Sequence, residues 1–155
     1  MVKQRLSAKV LRSLAARRLA TAESLTGGGI GASITAVSGA SAVFAGGVIS
    51  YTNEGKNKVL GVPVETLNTC GAVSAPVAQA MAEGARRVIG ADVAVAVTGL
   101  AGPDGDDFGN PVGTVFIGYA DGQTAFARKY HFDGGRAEVR EQTIEAALKL
   151  ILEMN

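Results

Sequence analysis

The stretch TAESLTGGGIG, residues 21–31, decides the fold, because an apolar strand pattern gives way there to a glycine-rich helix start. Residues 19–24 predict a short strand that ends at Ser24, and residues 26–37 predict a helix rich in glycine and alanine. Ser24 would then stand at the carboxyl end of a strand, where open α/β sheets bind ligands. The first N–H groups of the helix would suit a phosphate or an oxyanion, and the glycines would allow close approach. A helix N-cap, followed by glycines that pack the helix on the sheet, explains the same residues without a ligand.

The segments on either side of this stretch continue an alternation of helices and strands. The last two predicted strands are joined by Asp121-Gly122, a dipeptide typical of a β-hairpin. Helices are predicted over 2–19, 53–60, 63–69, 74–89 and 136–153, and further strands over 43–51, 92–98, 112–120 and 124–132. We therefore expect a single domain over residues 1–155 of the α/β class: a three-layer α/β/α sandwich with a mixed sheet of about five strands.

The composition excludes several classes of protein. A chain of 155 residues suits one domain, and a hydrophobic content of 47% with 19% charged residues excludes intrinsic disorder. The single cysteine, Cys70, and the single histidine, His131, exclude a disulfide framework, a cysteine-built metal centre and any two-histidine zinc site. No apolar run reaches the roughly 20 residues that span a bilayer, and no signal-peptide pattern is present. We therefore expect a cytoplasmic protein with no membrane partner.

The net charge of +1 argues against a global nucleic-acid-binding surface. The segment 2–19 is a local exception, since it is rich in lysine and arginine and no acid occurs before Glu23. Such a helix could contact nucleic acid or a membrane surface, or act as a transit peptide. A helix packed on the core with a solvated basic face is the expected role.

A second segment, GGVISYTNEGK at residues 46–56, places Tyr51 at a strand end and Lys56 in the first turn of the next helix. Strand ends on one side of a sheet converge, so Ser24, Tyr51 and Lys56 can share one pocket. A serine needs a base to become a nucleophile, and a lysine can be that base. The pKa of Lys56 would then have to fall from about 10.4 towards roughly 7–8. A solvated helix lysine is the alternative for Lys56, and His131 is the alternative base.

A third segment, TGLAGPDGDDFGNPVG at residues 98–113, is too long for a simple connection and is therefore expected to be a functional loop. Its aspartates match no calcium-loop spacing, so a solvated acidic turn is expected there and no metal site. These aspartates are Asp104, Asp106 and Asp107.

Three nucleotide-binding motifs fit the glycines poorly. Gly27, Gly29 and Ala32 give only a weak dinucleotide-binding match, because no acidic residue lies at a strand end about 20 residues further on. No Gly-Lys-Ser/Thr follows the glycines, so a phosphate-binding P-loop is absent. Tyr51 and Lys56 also lack the spacing found in short-chain dehydrogenases. A dinucleotide-dependent oxidoreductase is therefore disfavoured.

Six ordered motifs together resemble the CinA carboxy-terminal domain family, which is named after a competence/damage-inducible protein. They are TAESLTGG at 21–28, GGVISYTNEGK at 46–56, LGV at 60–62, GAVS at 71–74, TGLAGP at 98–103 and PVGTV at 111–115. The resemblance covers nearly the whole chain and is to the stand-alone form, which lacks the amino-terminal molybdopterin-binding-like domain of longer members. It implies an α/β/α fold and a nicotinamide-nucleotide amidohydrolase, which hydrolyses nicotinamide mononucleotide to nicotinate mononucleotide and ammonia.

The resemblance also implies roles for individual residues. Ser24 maps to the serine nucleophile of the family, and Tyr51 and Lys56 map to its tyrosine and lysine. We expect Lys56 to take the serine proton with Tyr51 in the relay. Backbone N–H groups at Thr26, Gly27 and Gly28 are expected to stabilise the oxyanion.

The substrate phosphate needs a site of its own. Arg136 and Arg140 lie one turn apart on the last predicted helix, where they could clamp an anion or simply lie on the surface. The expected phosphate ligands are, in order, Arg140, Arg136 and the backbone of Thr98, Gly99, Ala101 and Gly102.

The expected reaction needs no metal and no cofactor, because the nucleophile is a side chain. The expected partners are a small nucleotide substrate and further copies of the chain in a homo-oligomer, with no nucleic acid. The competing function is a non-enzymatic competence or DNA-damage accessory module that binds a nucleotide or a protein partner.

Overall fold

The computed structural model describes all 155 residues, which form six α-helices and five strands. None of these helices combines the length and the apolar character that crossing a membrane requires. A short 3-10 helix at Ala40–Ala42 precedes the second strand. The elements in chain order are α1 (Val2–Ser13), β1 (Leu19–Glu23), α2 (Gly29–Thr35), β2 (Phe44–Ile49), α3 (Asn53–Lys58), α4 (Val64–Cys70), α5 (Ala75–Ile89), β3 (Val93–Gly99), β4 (Thr114–Ala120), β5 (Ala125–His131) and α6 (Arg136–Met154).

One mixed sheet joins the five strands in the order β2-β1-β3-β4-β5. β1 lies parallel between β2 and β3, and β4 and β5 continue the sheet in antiparallel fashion. β4 and β5 form the predicted hairpin, whose turn is closed by a 2.9 Å hydrogen bond from Asp121 N–H to the Thr124 carbonyl. The prediction of a three-layer α/β/α sandwich with a mixed sheet of about five strands is confirmed.

The two faces of the sheet carry residues of different size. The valines of β3 point into a core shared with α1, α2 and α6, and its alanines face α5. The fully buried residues of this strand are Val93, Val95, Val97, Ala94 and Ala96. The small residues on the second face leave room for close packing of α5. At Gly84 of α5, a Cβ atom would overlap the Leu60 carbonyl oxygen.

Two predicted helix boundaries are wrong. The first helix ends at Ser13 and not at residue 19, because Leu19 is the first residue of β1 and pairs with both neighbouring strands. The second helix begins at Gly29 and not at residue 26. Gly27 and Gly28 take φ values of +59° and +101°, which no α-helix contains. The chain therefore makes a turn between β1 and α2, and Ser24 lies at its start.

Three parallel strands end on the same edge of the sheet. Glu23 at the end of β1 pairs with Ile49 at the end of β2 and with Val97 near the end of β3. The three segments that stand out in the sequence follow these strand ends. They therefore meet at the carboxyl edge of the sheet, where α/β proteins bind ligands.

Candidate active site

Ser24 and Lys56 meet in the interior of the protein. The Lys56 Nζ lies 3.0 Å from Ser24 Oγ and 2.7 Å from the carbonyl oxygen of Ser50. Only 7% of Ser24 and 2% of Lys56 are exposed. Ser24 continues the line of β1, because its N–H donates to the Val97 carbonyl of β3 at 3.2 Å. The sheet therefore fixes the serine, and α3 brings the lysine to it.

The environment of Lys56 disfavours its charged form. Burial lowers the pKa of Lys56 from 10.5 to about 8, because the ammonium loses its hydration. An ammonium has three N–H donors, but Nζ has only two hydrogen-bond acceptors within reach. The neighbouring Lys58 is exposed and pairs with Glu54 at 2.7 Å. The alternative that Lys56 is a solvated helix lysine is therefore wrong.

A cavity of about 250 Å³ adjoins this pair. Its walls combine apolar side chains with a few polar groups, as is typical of small-molecule sites. The polar or charged residues that line it are Ser24, Tyr51, Asn53, Lys56, Thr98 and Arg136.

The turn after Ser24 carries free backbone N–H groups. The N–H of Gly27 is already engaged, since it donates to the Ser24 carbonyl at 3.1 Å. The N–H groups of Leu25, Thr26 and Gly28 have no acceptor within the protein. Of the three residues expected to stabilise an oxyanion, Thr26 and Gly28 therefore keep a free donor and Gly27 does not.

The N-terminus of α2 is occupied by a side chain of the protein itself. The N–H groups of Ile30 and Gly31 donate to the Glu23 carboxylate at 2.8 and 3.0 Å. The same carboxylate accepts hydrogen bonds from the Thr26 and Thr21 hydroxyls at 2.7 and 3.2 Å. A substrate anion at this helix start would meet a carboxylate. The N–H groups of Ile30 and Gly31 are therefore not free to bind a phosphate or an oxyanion.

Arg136 and Tyr51 lie together on the wall of the cavity. Arg136 donates to the Tyr51 hydroxyl at 3.1 Å and to the Gly102 carbonyl at 2.6 Å. Tyr51 is 63% exposed, and its hydroxyl makes no hydrogen bond with Ser24 or Lys56. The tyrosine thus contacts an arginine and not the proton pathway expected from the sequence.

Arg140 lies outside this cavity and lines a different one between α1, α2 and α6. Its Nε and Nη2 donate to the carbonyls of Leu25 and Thr26 at 2.9 and 3.3 Å. Arg140 therefore holds the turn after Ser24 from outside. This contact is at odds with its expected first place among the phosphate ligands.

The third segment contributes mainly backbone to the site. Thr98, Gly99 and Ala101 line the cavity, and Gly102 supplies the carbonyl that binds the arginine. The Thr98 hydroxyl donates to the Ala72 carbonyl at 2.9 Å, so it ties two walls of the cavity together.

The other titratable candidates lie away from Ser24. Asp106 accepts hydrogen bonds from the backbone of Phe108 and from the backbone and side chain of Asn110. Partial burial alone would raise the pKa of Asp106, but these hydrogen bonds lower it below its usual value. His131 lies exposed on β5, 3.6 Å from Asp133. No group of three or more histidine, cysteine or acidic side chains is placed to hold a metal ion.

Two residues at the site were not singled out from the sequence. Asn53 lines the cavity one helical turn before Lys56, and its side chain has no hydrogen-bond partner in the protein. The spacing of three residues between Asn53 and Lys56 could have predicted this position, because residues i and i+3 lie on the same face of a helix. Glu23 precedes Ser24 directly, but its four hydrogen bonds depend on how α2 folds back over β1.

These features define a three-layer α/β protein with a serine–lysine pair at the carboxyl edge of its sheet. Residues 3–155 match the model of the CinA C-terminal domain, and the chain belongs to that family.

Two relatives illustrate the range of lengths in which the domain occurs. The chain is 47% identical over 137 residues to the nicotinamide-nucleotide amidohydrolase PncC of Pseudomonas putida, covering 88% of this chain and 86% of that protein. It is 52% identical over 130 residues to a CinA-like protein of Geobacter sulfurreducens, covering 84% of this chain but 32% of that protein. The chain thus spans about a third of the length of its CinA-like relatives.

Solved structures share the fold throughout. The competence damage-inducible protein A of Klebsiella pneumoniae superposes with a TM-score of 0.95 at 37% identity, covering 97% of this chain and 95% of that one. The competence/damage-inducible protein CihA of Agrobacterium tumefaciens gives a TM-score of 0.95 at 37% identity, covering 100% and 96%.

Proposed function

We propose that this chain is a nicotinamide-nucleotide amidohydrolase, which releases ammonia from nicotinamide mononucleotide and leaves nicotinate mononucleotide. The observation that carries the chemistry is the 3.0 Å contact between Ser24 Oγ and Lys56 Nζ in a buried site. The substrate is proposed by analogy with the nicotinamide-nucleotide amidohydrolase PncC of Pseudomonas putida, which is 47% identical.

Lys56 is the general base in this proposal. In its neutral form the amine donates to the Ser50 carbonyl, and its lone pair accepts the Ser24 proton. Ser24 Oγ attacks the carboxamide carbon, and a tetrahedral oxyanion forms. Lys56 then returns the proton to the departing nitrogen, so that ammonia leaves and an ester to Ser24 remains. Water, activated by the same amine, hydrolyses the ester.

The free N–H groups of the turn stabilise the oxyanion. Leu25, Thr26 and Gly28 keep unengaged donors beside the nucleophile, and Leu25 also lines the cavity. Loss of one such donor typically costs about 100- to 1000-fold in turnover.

Arg136 binds the substrate phosphate in this proposal. A guanidinium has five N–H donors, and two of those of Arg136 are used by Tyr51 and Gly102. The remaining donors and the positive charge lie on the cavity wall, with Tyr51 beside them. Asn53 adds a free carboxamide to the same wall. We assign the phosphate to Arg136 and not to Arg140, because Arg140 lines a different cavity.

The experiment that tests this proposal is ammonia release by the purified protein from nicotinamide mononucleotide, with nicotinamide riboside as the dephosphorylated control. Ser24→Ala should abolish turnover and leave the melting temperature unchanged, since a small residue suits that position. Ser33→Ala is the matched control, because its hydroxyl bonds only to the Gly29 carbonyl within α2. A Ser24→Ala protein that kept more than about a tenth of the wild-type rate would contradict the nucleophile assignment.

The names of the structural relatives favour a second candidate function. They refer to competence and damage induction, so a non-enzymatic accessory role that binds a nucleotide or a protein is the alternative. Such a role would survive Ser24→Ala, whereas the proposed amidohydrolase would not.

A further inference from the structure

Glu23 is a buried carboxylate directly behind the candidate nucleophile. It is 2% exposed, and no lysine, arginine or histidine pairs with it. Four donors converge on its two oxygens instead. Oε1 accepts from the Thr26 hydroxyl and Ile30 N–H, and Oε2 accepts from the Thr21 hydroxyl and Gly31 N–H. The carboxylate is therefore saturated with hydrogen bonds, all of which come from groups of the protein itself.

The four donors come from three consecutive pieces of the chain. Thr21 belongs to β1, Thr26 belongs to the turn, and Ile30 and Gly31 belong to the first turn of α2. Ser24 lies between Glu23 and Thr26, so the carboxylate ties together both ends of the segment that carries the nucleophile.

The turn has only a few other restraints. Gly27 N–H donates to the Ser24 carbonyl, and Gly29 N–H donates to the Thr26 carbonyl. Arg140 donates to the carbonyls of Leu25 and Thr26. Since the free N–H groups of Leu25, Thr26 and Gly28 lie in this turn, its geometry sets where they point.

We propose that Glu23 is a positioning residue, which fixes the turn of residues 24–28 so that Ser24 and the free N–H groups meet the substrate in the required geometry. This inference rests on the proposed function. Glu23 does not line the cavity and touches no reacting atom, so its effect on the reaction passes through the turn.

The requirement for a carboxylate follows from the count of donors. A glutamine has one oxygen that accepts and one NH₂ group that only donates. The Thr21 and Thr26 hydroxyls could rotate to accept from that group, but the backbone N–H groups could not. In Glu23→Gln one N–H of Ile30 or Gly31 would therefore face another donor, and the start of α2 would move relative to Ser24.

The first experiment measures steady-state ammonia release by Glu23→Gln. A displacement of about 1 Å can cost about 100-fold, so we expect kcat to fall by about 10- to 100-fold. KM should stay within about twofold, because Arg136 and Asn53, which are proposed to bind the substrate, make no hydrogen bond with Glu23. Glu54→Gln is the matched control, since this exposed glutamate pairs only with Lys58, and it should leave both constants unchanged.

A second pair of variants tests the same contact with less risk to folding. Thr26→Val deletes the hydroxyl that donates to Glu23, and Thr26→Ser retains it. We expect Thr26→Val to lower kcat, and Thr26→Ser, which keeps the donor to Glu23, to have a higher kcat than Thr26→Val. A side chain that only filled space would give the opposite order, because valine matches the shape of threonine better than serine does.

A substrate-independent measurement separates this proposal from the proposed function. Phenylmethanesulfonyl fluoride sulfonylates an activated serine: the Oγ–S bond forms, the S–F bond breaks, and fluoride leaves with the serine proton. Mass spectrometry detects the adduct on Ser24. The final amount of adduct gives the number of folded sites, so kcat can be expressed per site. We expect labelling of Glu23→Gln and Thr26→Val to slow about tenfold, and Thr26→Ser to be labelled faster than Thr26→Val. Glu54→Gln should match the wild type.

The outcomes are distinct. If the wild type is labelled but releases no ammonia from the nucleotide, the proposed substrate is wrong and the labelling rates decide the role of Glu23. If Glu23→Gln has the same kcat per site and the same labelling rate as the wild type, the positioning role is wrong. If Glu23→Gln does not fold, equal rates for Thr26→Val and Thr26→Ser would overturn it.

Discussion

Lys56 and Lys58 are two lysines of the same helix, α3, and their side chains point in different directions. Two residues on a helix are about 200° apart around its axis, so the two side chains face opposite ways. Lys56 is buried against Ser24, whereas Lys58 pairs with Glu54 in solvent. The same residue type therefore has two different environments on one short helix.

This difference predicts the effect of substitution at each lysine. Lys56→Ala should lower turnover by about 100- to 10,000-fold, which is the usual contribution of a general base. Lys56→Arg should not restore activity, because a guanidinium stays protonated and cannot accept the serine proton. Lys58→Ala is the matched control and should be nearly silent in ammonia release. Near-full activity of Lys56→Arg would make this residue a fixed cation and would require another base.

The lowered pKa of Lys56 predicts the pH dependence of the reaction. Only the neutral amine accepts the Ser24 proton, and burial brings its pKa to about 8. The rate should therefore rise with pH up to about 8 and level off above it. Initial rates of ammonia release across this range check the prediction. A rate that is flat through pH 8, or that falls as pH rises towards it, would speak against a lysine base.

At the scale of elements, the position of α3 depends on α5 and on the chain between them. Arg87 of α5 donates to the Leu60 carbonyl at 3.0 Å, and Gly84 lies against that same carbonyl. Leu60 lies two residues after the last residue of α3. The close approach at Gly84 thus holds in place the segment that carries Lys56.

This contact predicts a reversal of the usual effect of alanine in a helix. Replacing a glycine in a helix interior by alanine normally adds about 0.5–1 kcal/mol of stability. At Gly84 the new Cβ would overlap the Leu60 carbonyl, so Gly84→Ala should lower the free energy of unfolding by about 1–3 kcal/mol. Urea denaturation provides the measurement.

Gly55→Ala is the control for this prediction. Its Cβ would lie 3.4 Å from the nearest atom, Thr52 Oγ1, so the substitution should be neutral or stabilising by up to about 1 kcal/mol. A stabilised Gly84→Ala protein would show that the contact with Leu60 relaxes freely.

At the scale of the whole molecule, a buried lysine makes folding depend on pH. The pKa of Lys56 is 10.5 without the fold and about 8 within it. Between these values the unfolded chain binds more protons than the folded one, so stability rises with pH. The contribution of Lys56 to the free energy of unfolding should grow by about 2 kcal/mol between pH 7 and pH 9.5.

Lys56→Met isolates this contribution. Methionine has a similar length and does not titrate, so the difference between wild type and variant reports Lys56 alone. Urea denaturation of both proteins at the two pH values provides the measurement. A difference that is constant with pH would mean that the lysine keeps its ordinary pKa in the folded protein.

Local pattern in the sequence predicts most of the architecture. The alternation of helices and strands, the Asp121-Gly122 hairpin and the edge of the sheet at which Ser24 lies are all local properties, because they depend on periodicity and turn chemistry. Ser24 and Lys56 could be paired as candidates since parallel strand ends converge. The helix boundaries at Ser13 and Gly29 could not be predicted, because sheet pairing and the turn geometry override local helix propensity.

The tertiary structure alone decides which groups each polar side chain meets. From sequence, Arg140 is expected before Arg136 as a phosphate ligand, but α6 directs Arg136 into the cavity and Arg140 onto the back of the turn. In the sequence, Glu23 is only one residue of a motif. Its four hydrogen bonds form only because α2 folds over β1. The burial that lowers the pKa of Lys56 likewise requires the assembled core. Hydrogen bonding and desolvation depend on distances between residues that are far apart in the sequence, and a local sequence pattern does not predict these distances.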